Sequence, residues 1–358
     1  MRPTYIWVLL AGMCSACSGC AGDGPVAAAV PSSMGGRVLA EAITALRGEA
    51  LGRERVDWNR LEGELAARLP KNATSEEAGP LVREALAALG DPHARFIAAA
   101  KPATEGTGAA SAAVSTTSAP AHPPIPTVMV GELAEDSTAY VLVPGTGMGG
   151  PREWAEYADA GRAAIASLEA RHPAGWIIDL RLNGGGSVWP MLLGVSAVLG
   201  DGVQFTSVVP GVGVTQRFGL SGGEAWLNAG AGPKTQMGIS REMRPAIGVA
   251  PAPVAVLVGP WTMSSGEAIA IALRSRPGVR MFGECSAGLT TVTQTYTLAD
   301  GSTLILPAAQ MGDVRGHPAE GKVCPDQPVA FENWPGSGDG VCLAAREWIA
   351  RAREGRTR

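Results

Sequence analysis

The chain has 358 residues, 46% of them hydrophobic and 17% charged, and a formal net charge of −4. That length holds one large domain or two with ample core, and the hydrophobic share excludes a disordered chain. Without a basic cluster or an excess of positive charge, nothing points to nucleic acid.

In chain order, the first segment reads as an export signal. Arg2 precedes an apolar run over 5–13, too short to span a bilayer but suited to a signal-peptide core. Small residues and cysteines follow, and two readings stand. One is a bacterial lipoprotein signal lipidated at Cys17 or Cys20, although neither has the usual aliphatic residue three positions earlier. The other is ordinary secretion with the cysteines removed. Either way, segment 1–20 is a leader, 21–35 a flexible linker, and the mature protein is exported to the periplasm, to the membrane surface or outside the cell. Three cysteines lie downstream, Cys285, Cys324 and Cys342, and an oxidising compartment permits a disulfide. Cys324–Cys342 is the expected pair, with Cys285 free, although sequence does not fix connectivity. No C-x-x-C pair follows the leader, so no metal is expected.

Leucine, isoleucine and alanine at helical spacing predict helices over 37–51, 58–69 and 75–89, making 36–100 a helical subdomain that stops at Gly90. Next comes DPHARF at 91–96, where His93 sits in a loop positioned by the preceding helix. Alone, such a histidine is most often a surface or internally satisfied one. Residues 101–126 are low in complexity and read as a linker, with His122 inert inside it.

From 127 to 348 the pattern is mixed α/β. Strands are expected at 128–133 and 139–143, a helix at 154–170, then a strand at 175–181 running into LNGGG at 182–186 and a helix at 189–199. The glycines do not match G-x-G-x-x-G, and no Gly-Lys-Ser/Thr follows, so neither a dinucleotide nor a phosphate is expected. They serve either as a tight turn or as backbone amides close to an oxyanion. Glycine-rich strands and loops over 203–250 form a flap or wall.

The segment 253–273 is a buried strand, then TMSSGE, then an apolar helix. Ser264-x-x-Glu267 fits a capping box, the commoner motif. It also fits a nucleophilic serine at a helix N-terminus, where the dipole favours negative charge. A strand at 279–282, the turn GECSAGLTT at 283–291, a hairpin of 292–298 with 302–306 about Asp300 and Gly301, and a surface helix at 344–351 complete the core; 349–358 is a tail.

Four segments in this order, DPHARF, IIDLRLNGGG (177–186), TMSSGEAIA (262–270) and GECSAGLTT, trailed by AEGKVCPD (319–326), give a joint pattern far more specific than any one of them. The chain resembles the C-terminal processing (tail-specific) serine proteases, including tricorn-core-like and nisin-resistance-type members, over roughly 36–330. The resemblance implies a ClpP/crotonase-like core of ββα units with an N-terminal helical subdomain. The PDZ domain that many members insert has no room in 101–126.

Members with a Ser–Lys dyad carry lysine where this chain has Leu289, and Lys322 is a poor substitute. The resemblance therefore implies a Ser264–His93 pair, with an oxyanion hole from the amide of Ser265 plus that of Gly185 or Gly186. Glu320 and Glu267 are candidates to orient or support the pair; Asp91 is too close in sequence to orient the same ring. The implied activity is cleavage of extended peptides or unfolded protein tails through an acyl-enzyme, with no cofactor. Two alternatives remain: a catalytically silent homologue binding peptide or an apolar ligand in the same cleft, and an esterase or amidase.

Overall fold

The computed structural model describes residues 33–99, 125–147, 149–230, 232, 234–237, 252–331 and 336–356. The expected leader, most of the 21–35 and 101–126 linkers with His122, and the end of the 203–250 region lie outside them.

Helices α1 (Met34–Glu49), α2 (Trp58–Arg68) and α3 (Ser75–Ala87) occupy the N-terminal part. In α1 the buried Val38, Leu39, Ala42, Ile43 and Leu46 recur on one face, the spacing that lets a helix bury a stripe. The start of α3 is a reciprocal capping box: Glu77 N–H donates to Thr74 Oγ1 at 3.3 Å, and Thr74 N–H donates to Glu77 Oε2 at 2.8 Å. A short strand that the loop reading of DPHARF missed, β1 (Arg95–Ile97), follows. Phe96 alone gives too little alternation to reveal it; its pairing is supplied by a strand some two hundred residues later.

Beyond lie β2 (Val130–Leu133), β3 (Thr138–Leu142), α4 (Pro151–Glu169), β4 (Gly175–Asp179), α5 (Val188–Gly194), α6 (Ser196–Leu199), β5 (Gly202–Val209), β6 (Gly213–Ser221), β7 (Glu224–Ala229) and β8 (Lys234–Gln236). The chain then runs through β9 (Val254–Val258), α7 (Ser265–Arg274), β10 (Val279–Gly283), β11 (Thr291–Thr297), β12 (Thr303–Gly312), β13 (Gln327–Pro328) and α8 (Gly340–Arg356).

Two sheets result. The first is six-stranded in the order β13-β10-β9-β4-β3-β2, parallel except for the antiparallel pairing of β2 with β3. Its central strands are buried on both faces, as parallel strands are. Val141, Ile178 and Val256 face one core with α4, α5 and α7, while Tyr140, Ile177, Ala255 and Leu257 face the other way, under α8. The second sheet is seven-stranded and antiparallel, β1-β12-β5-β6-β7-β8, with β11 on the other side of β12.

Among the described residues, three hydrophobic clusters hold the molecule. One joins α4, α5 and α7 to the parallel sheet and extends to Met311 of β12. A second joins α1–α3 to Leu298, Leu304 and Leu306. The third lies beneath α8. Strand β12 thus leaves the helical cluster and ends in the sheet cluster. Each fully buried leucine, isoleucine or valine contributes about 1.5–3 kcal/mol.

Two expectations are corrected. The disulfide joins Cys285 to Cys324, and Cys342 is free and buried. The loop after β10 and the segment before β13 run side by side, with Ser286 N–H donating to Val323 O at 3.0 Å. Cys342 lies instead in the cluster beneath α8. The C-terminal helix is also more than a surface helix: α8 buries Val341, Cys342, Ala345 and Ile349. Under it, Arg181 Nη2 donates to Asp179 Oδ2 at 2.6 Å and Nη1 to Asp339 Oδ2 at 2.5 Å, so the buried guanidinium is paired on both sides. Burial alone would lower its pKa, but the two carboxylates outweigh it and the charge is held.

Candidate active site

Parallel strands place their loops together at the carboxyl edge, where open α/β sheets bind ligands. Neighbouring strands β4, β9 and β10 deliver there the glycine turn, the serine segment and the loop 284–290.

Asn183 fastens the first two. Its carbonyl accepts from Met263 N–H at 2.9 Å, and its buried amide donates from Nδ2 to Val143 O at 3.0 Å. A Cβ on Gly266 would lie 2.7 Å from Asn183 O, so only glycine allows α7 to start this close to the turn. Thr262, also buried, donates to Leu180 O at 2.9 Å and accepts from Gly259 N–H at 3.0 Å.

Ser264 has φ 53° and ψ −116°, in a region that non-glycine residues rarely occupy. Its side chain makes no capping hydrogen bond. The glutamate half of a capping box is present, Ser264 N–H donating to Glu267 Oε2 at 2.8 Å, but Glu267 N–H donates to the Ser264 carbonyl at 2.9 Å. Thr74, by contrast, sits in extended backbone and spends its hydroxyl as a cap. Ser264 makes a strained strand-to-helix elbow, and among the described residues its Oγ has no hydrogen-bond partner.

Glu267 is buried and acts as a junction. Oε1 accepts from Ser286 Oγ at 2.5 Å and from Gly288 N–H at 2.8 Å, and the Leu289 backbone adds a further donor. Burial pushes its pKa up, and these donors together with Ser264 N–H pull it back without cancelling the rise. Ser286 Oγ in turn accepts from Val323 N–H at 2.8 Å, and the Cys285–Cys324 disulfide closes the same junction covalently.

His93 is 8% exposed. Asp91 Oδ1 accepts from its backbone N–H at 2.8 Å, holding the loop rather than the ring. The ring is met by β11: Nδ1 lies 2.9 Å from Thr291 Oγ1. Burial lowers the imidazole pKa below its ordinary 6.5, and Arg95 lowers it further; Asp91 and the Thr291 backbone oppose them without prevailing. At neutral pH the ring is neutral. Thr291 stands two residues after Leu289, so a continuous path runs from Ser264 through Glu267 and loop 284–290 to His93. No direct hydrogen bond joins His93 to Ser264.

The remaining candidates separate. Ser265 N–H has no hydrogen-bond partner among the described residues, and its Oγ donates to Gly186 O at 2.6 Å. Gly185 N–H donates to Asn183 Oδ1 at 3.0 Å, which commits that amide. Gly185 has φ 89°, and a Cβ there would lie 3.0 Å from Ser264 Cβ. Glu320 is exposed and is not hydrogen-bonded to His93. Lys322 is exposed too; its stem passes over Gly288, while half-buried Leu289 stands in the loop itself. Thr291, Asn183 and Ser286 lie inside the quoted motifs, yet sequence reading gave them no role. Their partners are distant in the chain, 198 residues for Thr291 and His93. Among the described residues, no group of three or more His, Cys, Asp and Glu could hold a metal ion, and no helix is long and apolar enough to cross a membrane.

A family model described as peptidase family S41 matches residues 137–329, more than half of the chain. A nisin-resistance protein of Lactococcus lactis subsp. lactis is 38% identical over 148 residues, 41% of this chain and 43% of that protein. The match thus spans less than half the length of this relative. A lipoprotein from Streptococcus agalactiae superposes with a TM-score of 0.65 at 17% identity, over 92% of this chain and 100% of the other. A photosystem II D1 C-terminal processing protease gives 0.54 at 18% identity, over 85% and 95%. At such identities the two structures speak for the fold.

Proposed function

The chain belongs to peptidase family S41; from that premise we propose that it is a serine endopeptidase working through Ser264 and His93 on extended peptides or protein tails outside the cytoplasm. Ser264 Oγ attacks the scissile carbonyl and its proton passes to His93 Nε2. The oxyanion takes the N–H of Ser265 and that of Gly186, since the Gly185 amide is committed elsewhere. His93 then returns the proton to the leaving amine, and water admitted by the same base hydrolyses the acyl-enzyme. The observation that carries this reading is the strained Ser264 with its hydroxyl outside the helix cap, followed by the Ser265 amide, which has no partner among the described residues.

The substrate pairs as an added strand. Support comes from β11, which begins beside His93 and among the described residues pairs with β12 alone, leaving its other edge for a peptide backbone. Action outside the cytoplasm is supported by the disulfide and by the leader composition, with Cys17 or Cys20 available for a lipid. Mass analysis of the mature N-terminus decides between the anchored and the freely secreted form.

A fluorophosphonate probe tests the centre. Labelling of Ser264 that is lost in His93→Ala is the expected result; a folded protein that binds peptide but never labels would identify a silent homologue. Turnover of small esters with no cleavage of any peptide would identify an esterase.

A further inference from the structure

A histidine that acts as a base needs its second ring nitrogen held, because the hydrogen bond at Nδ1 fixes both the ring's direction and which nitrogen carries the proton. Serine hydrolases commonly give this task to a carboxylate. The carboxylates nearest in sequence or motif do not do it here. Asp91 accepts from the backbone N–H of His93, Glu267 is taken up by Ser264, Ser286 and Gly288, and Glu320 is exposed and not bonded to the ring. The group at Nδ1 is the hydroxyl of Thr291, 2.9 Å away.

We propose that Thr291 is the third member of the site, a neutral positioning residue that keeps the proton of His93 on Nδ1 and presents Nε2 to Ser264. The inference rests on the Ser264–His93 reading and adds to it the residue that makes the histidine a directed base. The Thr291 hydroxyl lies 2.9 Å from Nδ1, where it can accept the Nδ1 proton in the tautomer that leaves Nε2 free to act as a base. Position matters equally. Thr291 opens β11, and loop 284–290 immediately before it donates from Gly288 N–H to the glutamate that holds Ser264. One segment of chain therefore sets the histidine and braces the serine.

The arrangement also bears on pH. The charged groups acting on the ring are Asp91 and Arg95, both on its own segment; β11 brings no charge to it, and Glu267 on α7 is turned to its own donors. A hydroxyl supplies no negative charge to stabilise an imidazolium, unlike the carboxylate of a triad. Installing one by Thr291→Asp should raise the midpoint of the acidic limb by about one unit or more.

The test uses the folded protein with Thr291→Val, Thr291→Ser and His93→Ala, reading the fluorophosphonate labelling rate of Ser264 from pH 5 to 8 and the ¹⁵N chemical shifts of the His93 ring. Thr291→Val should slow labelling on the order of tenfold to a hundredfold, milder than the loss of about 10⁴ when a triad carboxylate is replaced. Its ring should show a mixture of tautomers, and Thr291→Ser should restore both rate and tautomer. If Thr291→Val labels at the parent rate with unchanged ring shifts, Thr291 has no such role. If Thr291→Val proves unfolded, Thr291→Asp with an unshifted acidic limb overturns the proposal by itself. Labelling that survives in His93→Ala overturns the dyad instead, whatever Thr291 does.

Discussion

The two halves of the candidate pair are held in different ways. Ser264 sits in the cluster of the parallel sheet, fixed by buried contacts from three loops: Asn183 O to Met263, Thr262 to Leu180, and Glu267 to Ser264 and Gly288. His93 belongs to a loop between α3 and β1, on the helical cluster, and its ring hangs on Thr291. The serine side is over-determined, as a strained backbone requires. The histidine side rests on few contacts, and β12 spans both clusters. On the Ser264–His93 reading, activity depends on how the two cores meet along β12.

Substitutions at the pair probe this contrast most directly. Ser264→Gly should abolish labelling and turnover while raising stability by about 1 kcal/mol, because glycine relieves the positive φ; a fall in melting temperature would mean that the hydroxyl caps α7 after all. His93→Ala should cut the rate by about 10²–10⁴ without raising stability, since no comparable strain is released.

Next in size is the disulfide. Replacing Cys285 and Cys324 by serine removes a cross-link over 39 residues, worth about 4 kcal/mol by the chain-entropy argument. It should also slow labelling of the molecules that remain folded, since loop 284–290 braces Glu267 and leads to Thr291. Melting curves and labelling rates on the same samples separate the two effects. A loss of stability with full activity would show that hydrogen bonds alone keep the loop in place.

Smallest is the pH effect. With a His93 pKa below the ordinary 6.5, the base stays neutral to lower pH, so the acidic limb of the labelling rate should have its midpoint below 6.5. Stability carries the same sign. The unfolded state binds the proton first, so this histidine destabilises the fold progressively as pH falls below 6.5 and reaches its full effect below the folded-state pKa. A rate flat from pH 5 to 8 would argue against histidine as the base.

Periodicity and punctuation made the helices of the N-terminal part and the buried strands β4 and β9 legible, because the forces that form them are local. The candidate roles of Ser264, His93 and the glycine turn come only from a set of motifs in order. What stayed hidden is nonlocal. The hydroxyl at His93 Nδ1, the commitment of the Gly185 amide and the partner of Cys324 are set by which loops the parallel sheet brings to one edge. The depth of α8 escaped for a related reason: its apolar side is narrow, and only the sheet beneath it shows that Cys342 and Ala345 are interior.

That free cysteine has a use as a reporter. Cys342 is fully buried beside Arg181, and burial pushes its thiol pKa up, so no reactive thiolate is on offer while α8 is seated. In a protein freed of Cys14, Cys17 and Cys20, a thiol reagent can be consumed only as fast as the C-terminal helix lifts from the sheet. The rate of that consumption would be a clock for one specific opening of the molecule, readable without substrate and without a spectroscopic label.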